Sequence, residues 1–250
     1  MVQLPNVKKD ENGVLILNDF DIAIFAYRQL KEFDAHYFDE PHPLDVGSFV
    51  EFFLNINVFY YTLSSDRSIL GATALADGKL EVITEDGGIE SRYLHKGDIC
   101  IDLNAYSSEQ AALFTTMHEA WHSQFDVNPN GLASESVACL NLESKETLSQ
   151  PRAVKSFQSA NQWMEHHANR YAACALMPRA FVTLLWRKKR KELFPQQAMI
   201  SDKPNETWKI IKEVAQCLNV SSTAMAWRAK SLRLIPNPVF ESLNLQKGGG

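Results

Sequence analysis

Two histidines four residues apart, with a glutamate directly after the first, constrain this chain more than any other feature: His118-Glu119-Ala120-Trp121-His122. On an α-helix, positions i and i+4 lie one turn apart on the same face, so both imidazoles can bind one metal ion. Glu119 is rotated about 100° from His118, which brings it beside a metal-bound water but not among the ligands. Zinc lowers the pKa of such a water to about 7, and a neighbouring carboxylate can then take its proton. The motif predicts a zinc site with Glu119 as the general base.

The alternative is that these are two ordinary surface histidines on an amphipathic helix. Small and apolar side chains, however, are spread around the whole circumference of the helix: Ala111, Ala112, Phe114, Thr115 and Trp121. A helix that is apolar all round is buried, and buried histidines and glutamates need partners. The composition of this helix therefore favours the metal site.

A catalytic zinc site needs a third protein ligand and one open position. The local extension of the motif that supplies a third histidine is absent here, because Phe125 and Asn128 stand where that extension places glycine and histidine. The third ligand is therefore expected on a separate helix, and 163–178 is the only later segment that is rich in candidates.

Three side chains of that segment can bind a metal in principle, namely Glu165, His166 and His167. Glu165 lies on the same helical side as Ala168 and Ala172, and small residues on that side let the helix pack tightly against the motif helix. Helical phase therefore favours Glu165 as the third ligand. For His166 and His167, a role as solvated or supporting histidines is favoured over ligation.

The order of predicted elements indicates an α+β chain, with helices first, then a small antiparallel or mixed sheet, then helices again. Helices are predicted over about 22–33, 46–54, 107–122, 160–177, 179–194, 205–218 and 222–233, and strands over 58–62, 69–75, 80–84 and 98–103. Asp77-Gly78 predicts a hairpin between the second and third of these strands. Residues 126–160 are interpreted as a long excursion with one short element near 136–140.

Two regions are predicted along the chain: a catalytic domain over 15–180 and a helical extension over 181–245 that packs on it. The two helices over 205–233 resemble a helix-turn-helix, from which Arg228, Lys230 and Arg233 are expected to project. DNA binding is one interpretation of this pair. A helical hairpin packed on the core is favoured, because the pair is too small to fold alone.

Composition disfavours several other classes of protein. Hydrophobic residues make up 45% and charged residues 22% of the chain, as in soluble globular proteins. The net charge of −5 disfavours direct nucleic-acid binding. Four scattered cysteines without a C-x-x-C pair disfavour a thiolate zinc site and indicate a reduced, intracellular protein. Because no apolar signal segment and no apolar run of membrane length occur, a cytoplasmic protein without membrane contact is expected.

Taken together, H-E-A-W-H at 118–122 and E-H-H-A-N-R-Y-A-A-C-A-L-M-P at 165–178 resemble the ImmA/IrrE family of metallopeptidases. In that family the motif helix is followed by a helix of the form E-x-x-A-N-x-F-A-x-x-L-L-M-P. The matching positions are Glu165, Ala168, Asn169, Tyr171, Leu176, Met177 and Pro178. The strand at 98–103 and the segment 219–228 are also similar, so the resemblance covers most of 20–235.

The resemblance implies a zincin-like core in which His118, His122 and Glu165 bind one Zn²⁺ per chain and Glu119 is the catalytic base. It also implies a bacterial or phage-related endopeptidase whose protein substrate is a helix-turn-helix transcriptional repressor, cleaved to relieve repression.

Two departures from the family pattern bear on the substrate. Trp121 stands where many members have a small residue, and its ring either changes the packing behind the zinc or lines the pocket. The 43 positions from His122 to Glu165 exceed the spacing expected for compact members. The excursion over 126–160 accounts for the difference, and it is a candidate for covering the cleft or selecting the substrate.

Four residues of the helix predicted over 160–177 are candidates for supporting roles. Tyr171, His166 and His167 are candidates for stabilising an oxyanion, and Asn169 is a candidate for hydrogen-bonding a metal ligand. Two other functions stay open. One is a regulatory protein that keeps the metal but binds a repressor or DNA without cleaving it, and the other is a toxin-like zinc hydrolase with a non-peptide substrate. The intact Glu119 favours the peptidase over the first, because a purely structural site has no use for a base. Mn or Fe can also occupy a site of two histidines and one glutamate.

Overall fold

The computed structural model describes residues 8–9, 15–103, 108–126, 139–140, 160–196 and 203–243. Over these residues the chain is a mixed α+β protein, which confirms the predicted fold class. The helices are α1 (Asp19–Phe33), a π-helix (Ser48–Phe53), α2 (Glu109–Phe125), α3 (Ala160–Leu176), α4 (Arg179–Leu193), α5 (Pro204–Cys217), α6 (Ser222–Ser231) and α7 (Asn237–Ser242). The strands are β1 (Val58–Tyr61), β2 (Gly71–Ala74), β3 (Gly78–Ile83), β4 (Ile89–Leu94), β5 (Ile99–Asp102) and β6 (Cys139–Leu140).

The strands form two sheets. In the four-stranded sheet the order is β1-β5-β2-β6, with β1 parallel to β5, and with β2 antiparallel to both β5 and β6. The second sheet contains only β3 and β4, which are antiparallel. Helix α2 packs on β2 and β5. Helix α3 lies between α2 and α1 and packs along both of them. The motif helix therefore lies between the larger sheet and two other helices.

The predicted hairpin across Asp77-Gly78 is wrong. The strand before it, β2, pairs with β5, and the strand after it, β3, pairs with β4. The hairpin lies one connection later, where the Thr84 N–H donates to the Gly88 carbonyl and Gly87 has a φ of 83°. Asp77 instead accepts a hydrogen bond from the Lys96 N–H at 2.7 Å. A turn signal marks a reversal of the chain, but it does not determine which strands pair afterwards.

Local signals predicted the first two helices correctly. The Asn18 side chain accepts hydrogen bonds from the N–H groups of Phe20 and Asp21, and Asp21 in turn accepts from the Asn18 N–H. This reciprocal capping satisfies backbone donors that have no partner inside the helix. Just before the second predicted helix, the Asp45 side chain accepts from the Ser48 N–H at 3.1 Å, and that helix is a π-helix.

One large hydrophobic cluster joins buried side chains from α1 through to α7. Regions 15–180 and 181–245 thus contribute to the same core, and the division between them near residue 180 stays a prediction. No helix in the described part of the chain is long and apolar enough to cross a membrane.

Of the three basic side chains predicted to project from the C-terminal helix pair, Arg233 is exposed, whereas Lys230 is half-buried and Arg228 is buried. Helices α5 and α6 form as predicted, but one face of α6 is buried, and Arg228 on that face is only 4% exposed. Its Nε donates to the Met177 carbonyl at the end of α3, at 2.9 Å. Lys230 lies over the rings of Trp227 and Phe240, at 5.1 and 4.2 Å from their centroids. Arg228 therefore ties α6 to α3, because an unsatisfied helix carbonyl in the core needs a donor.

The predicted excursion falls mostly outside the described residues, which include only its beginning at residue 126, Cys139–Leu140 and its end at residue 160. The short element expected near 136–140 is β6, which pairs with β2 at Thr73 and Ala74. Asn128 and any covering of the cleft by this excursion lie outside the described residues.

Candidate metal centre

Helices α2 and α3 bring the three predicted metal ligands together. The Nε2 atoms of His118 and His122 are 3.0 Å apart, and they lie 3.3 and 3.6 Å from the two carboxylate oxygens of Glu165. Both histidines are buried, whereas the Glu165 side chain is 21% exposed. One ligand atom from each residue lies within 4.8 Å of the others, so this group can hold a metal ion.

Each of the two imidazoles has an oxygen acceptor at its other nitrogen. The Asn169 amide oxygen lies 3.2 Å from Nδ1 of His118, and the Asp126 carboxylate lies 2.6 Å from Nδ1 of His122. An oxygen acceptor at Nδ1 places the proton there and leaves the lone pair on Nε2. With the protons on Nδ1, the two Nε2 lone pairs lie 3.0 Å apart and can both be donated to one metal ion. The arrangement therefore fits a bound divalent metal.

Asp126 is not among the site residues predicted from the sequence, whereas Asn169 is, and its amide oxygen lies beside His118, a candidate ligand. The signal for Asp126 was present in the sequence, because it follows His122 by four positions and so shares its helical face.

The Glu165 carboxyl is held in its charged form. Burial by itself raises its pKa, but the contact with His118 and the attraction of both histidines outweigh that effect and keep the pKa below its usual value. A charged carboxylate next to two imidazoles is the donor set that Zn²⁺ and similar metals bind.

Glu119 is fully buried and faces strand β2. The Thr73 hydroxyl lies 2.6 Å from its Oε2, to which it donates, and 3.2 Å from its backbone carbonyl oxygen. Gly71, two residues earlier on the same face of β2, leaves room for the helix. A Cβ at this position would lie 2.6 Å from Cγ2 of Thr115 and 3.0 Å from Cγ of Glu119. The sequence pointed to neither Thr73 nor Gly71, because only the fold brings β2 next to α2.

No protein-family model matches the chain, and no curated protein matches it significantly.

The three candidates for oxyanion stabilisation make other contacts. The Tyr171 hydroxyl is buried in the core and donates to Gln29 at 2.6 Å, and burial raises its pKa. His166 lies 2.9 Å from Asp19, at the start of α1. His167 is 1% exposed between the rings of Trp121 and Trp163, and burial together with the nearby His166 lowers its pKa to about 4.

Trp121 packs inside the core and does not line an open pocket. Its side chain is fully buried, and its ring contacts Phe25 of α1, Phe125 of α2 and Tyr171 of α3. A bulky aromatic side chain at this position fills the space where the three helices meet, which holds α2 and α3 at a defined separation.

Proposed function

We propose that this chain is a zinc-dependent endopeptidase of the ImmA/IrrE type, with a zincin-like core. The observation that carries the proposal is the donor set of His118, His122 and Glu165 with Glu119 directly after the first ligand. The charged Glu165, and the acceptors at Nδ1 of both histidines, support ligation of one metal ion per chain.

A zinc ion bound by these three residues would polarise the substrate carbonyl and activate a water molecule. The protein supplies the remaining steps. Glu119 takes a proton from the attacking water and delivers it to the nitrogen of the leaving amine, as the general base and then the general acid. Asp126 and Asn169 keep the two imidazoles in the tautomer and orientation that ligation requires.

The proposed substrate is a cytoplasmic helix-turn-helix transcriptional repressor, whose cleavage relieves repression. This part of the proposal rests on the resemblance of the motifs at 118–122 and 165–178 alone. The net charge of −5 is compatible with a partner that binds DNA and carries the basic surface itself.

The test compares three variants with the wild type, using a repressor encoded beside the gene as substrate, with and without chelator. Glu119→Gln is expected to keep one zinc per chain and to abolish cleavage, because an amide cannot accept the proton. His118→Ala is expected to lose both metal and cleavage. Glu81→Gln, the same change on an exposed residue of β3, is the control and should resemble the wild type.

Zinc content is measured by atomic absorption, and cleavage by mass spectrometry of the products. Cleavage by Glu119→Gln at the wild-type rate would contradict the peptidase. Repressor binding without cleavage by the wild type would favour the non-proteolytic regulatory protein instead, and cleavage of neither repressor nor other peptides would favour a non-peptide substrate.

A further inference from the structure

We infer that Thr73 is a positioning residue for Glu119, and that it holds the carboxylate of the general base in its working orientation. This inference rests on the proposed function, because it assigns a role to Thr73 only if Glu119 acts as a base. Nothing in the sequence around position 73 indicates such a role, and the assignment comes from the contact between β2 and α2.

The backbone of Thr73 is fixed from both sides. It is paired with Ile99 of β5 on one side and with Leu140 of β6 on the other. Side chains of a strand alternate between the two faces, so Thr73 and Gly71 both face α2. The direction of the Thr73 side chain is thus determined by the sheet, and its hydroxyl reaches the Glu119 carboxylate at 2.6 Å.

A glutamate side chain has three rotatable torsions, and it needs contacts on more than one side to stay in one orientation. Thr73 provides a hydrogen bond to one oxygen of the Glu119 carboxyl group, at 2.6 Å. The backbone of Gly71 packs closely against the same side chain, since a Cβ at this position would lie 3.0 Å from Cγ and 3.1 Å from Oε1 of Glu119. Strand β2 thus forms a slot in which the carboxylate has little freedom.

The alternative is that Thr73 has only a structural role and anchors α2 to the sheet, because its hydroxyl also lies 3.2 Å from the Glu119 carbonyl oxygen. The two roles predict different results. An anchor changes the stability of the protein, whereas a positioning residue changes kcat at unchanged metal content and with little change in KM.

The first experiment uses Thr73→Val, which keeps the shape and removes the hydroxyl, and Thr73→Ser, which keeps the hydroxyl. The matched control is Thr116→Val on α2, where the lost hydroxyl donates only to the Ala112 carbonyl of its own helix. We expect Thr73→Val to retain one zinc per chain and to lose about 10- to 100-fold in kcat, the range typical of lost supporting contacts at metal sites. Thr73→Ser and Thr116→Val should stay close to the wild type.

A second experiment does not depend on the substrate. Acetohydroxamate binds a catalytic metal and gives its proton to the carboxylate beside it, so its affinity reports on the position of that carboxylate. With cobalt-substituted protein, visible absorbance should show binding weakened about tenfold or more by both Thr73→Val and Glu119→Gln, but not by Thr116→Val. If Thr73→Val does not fold, Thr73→Ala is tested in its place.

The outcomes separate the two proposals. Wild-type affinity for acetohydroxamate in Thr73→Val, or a loss of stability with unchanged kcat, would overturn the role of Thr73. A wild type that binds acetohydroxamate in a Thr73-dependent manner but cleaves no peptide would leave the positioning of Glu119 intact and overturn the peptidase.

Discussion

Two oxygen acceptors orient the histidines of the candidate metal centre, and they differ in charge and distance. The Asp126 carboxylate lies 2.6 Å from Nδ1 of His122, whereas the neutral Asn169 amide lies 3.2 Å from Nδ1 of His118. A charged acceptor at the shorter distance makes the stronger hydrogen bond and raises the basicity of the ligand more. The two residues should therefore contribute unequally to metal affinity.

We expect Asp126→Ala to lower the affinity for zinc about 10- to 100-fold, and Asn169→Ala to lower it less. Competition with a chromophoric chelator measures both. The control is Asp39→Ala, which removes a similar contact to a histidine on the surface, where Asp39 pairs with His36 at 2.9 Å. Unchanged zinc affinity in Asp126→Ala would contradict the role of this carboxylate.

Between elements, the close approach of β2 to α2 decides the shape of the site. We expect Gly71→Ala to lower the free energy of unfolding by about 1–3 kcal/mol, because its Cβ would lie 2.6 Å from Cγ2 of Thr115. Gly47→Ala is the control, since a Cβ there would meet nothing closer than 3.6 Å. Urea denaturation gives the values.

Adding Thr115→Ala to Gly71→Ala removes the closest of these contacts and should restore part of the lost stability. The contacts of the new Cβ with Glu119 remain, so cleavage activity should not return with the stability. Full recovery of both would show that Gly71 matters only for packing.

The junction of α1 with α3 depends on Asp19, and it makes the stability dependent on pH. The hydrogen bond with His166 and the charge of Arg170 hold the pKa of Asp19 below its usual value of 3.8, against the opposing effect of burial. A lowered pKa in the folded state stabilises the protein above pH 3.8, and this contribution disappears as the pH falls through the folded pKa.

Asp19→Asn should therefore be less stable than the wild type at pH 6, and the difference should shrink steadily below pH 3.8. Urea midpoints of both proteins across this range measure it, with the surface variant Asp39→Asn as the control. A difference that grows as the pH falls would have the wrong sign for this mechanism.

For the whole molecule, the shared hydrophobic cluster determines how the chain unfolds. Side chains from α1 through to α7 belong to one core, and Arg228 ties α6 to the end of α3. We expect one cooperative transition, with coincident curves from circular dichroism and tryptophan fluorescence. Two separate transitions would instead favour independent folding of 15–180 and 181–245.

Zinc should raise the midpoint of that single transition, because the three candidate ligands come together only in the folded arrangement of α2 and α3. A chelator should reverse the shift, and His118→Ala should show no shift with zinc.

What could be predicted from the sequence is what depends on local periodicity. The i, i+4 spacing of His118 and His122 places both on one helical face, and the helical phase of Glu165 turns it toward α2. The α+β order of elements follows from the same patterns. These features depend on residues within a turn or two of each other, so backbone geometry alone determines them.

Contacts between distant segments were decided only by the tertiary structure. The predicted hairpin at Asp77-Gly78 is wrong because strand pairing depends on which edge each strand meets. Arg228 lies inward because the carbonyl at the end of α3 needs a hydrogen-bond donor there. Thr73 and Gly71 shape the surroundings of Glu119 from 46 and 48 positions away. Periodicity determines which face of an element is buried, but only packing determines what that face meets, and here Glu119 meets strand β2.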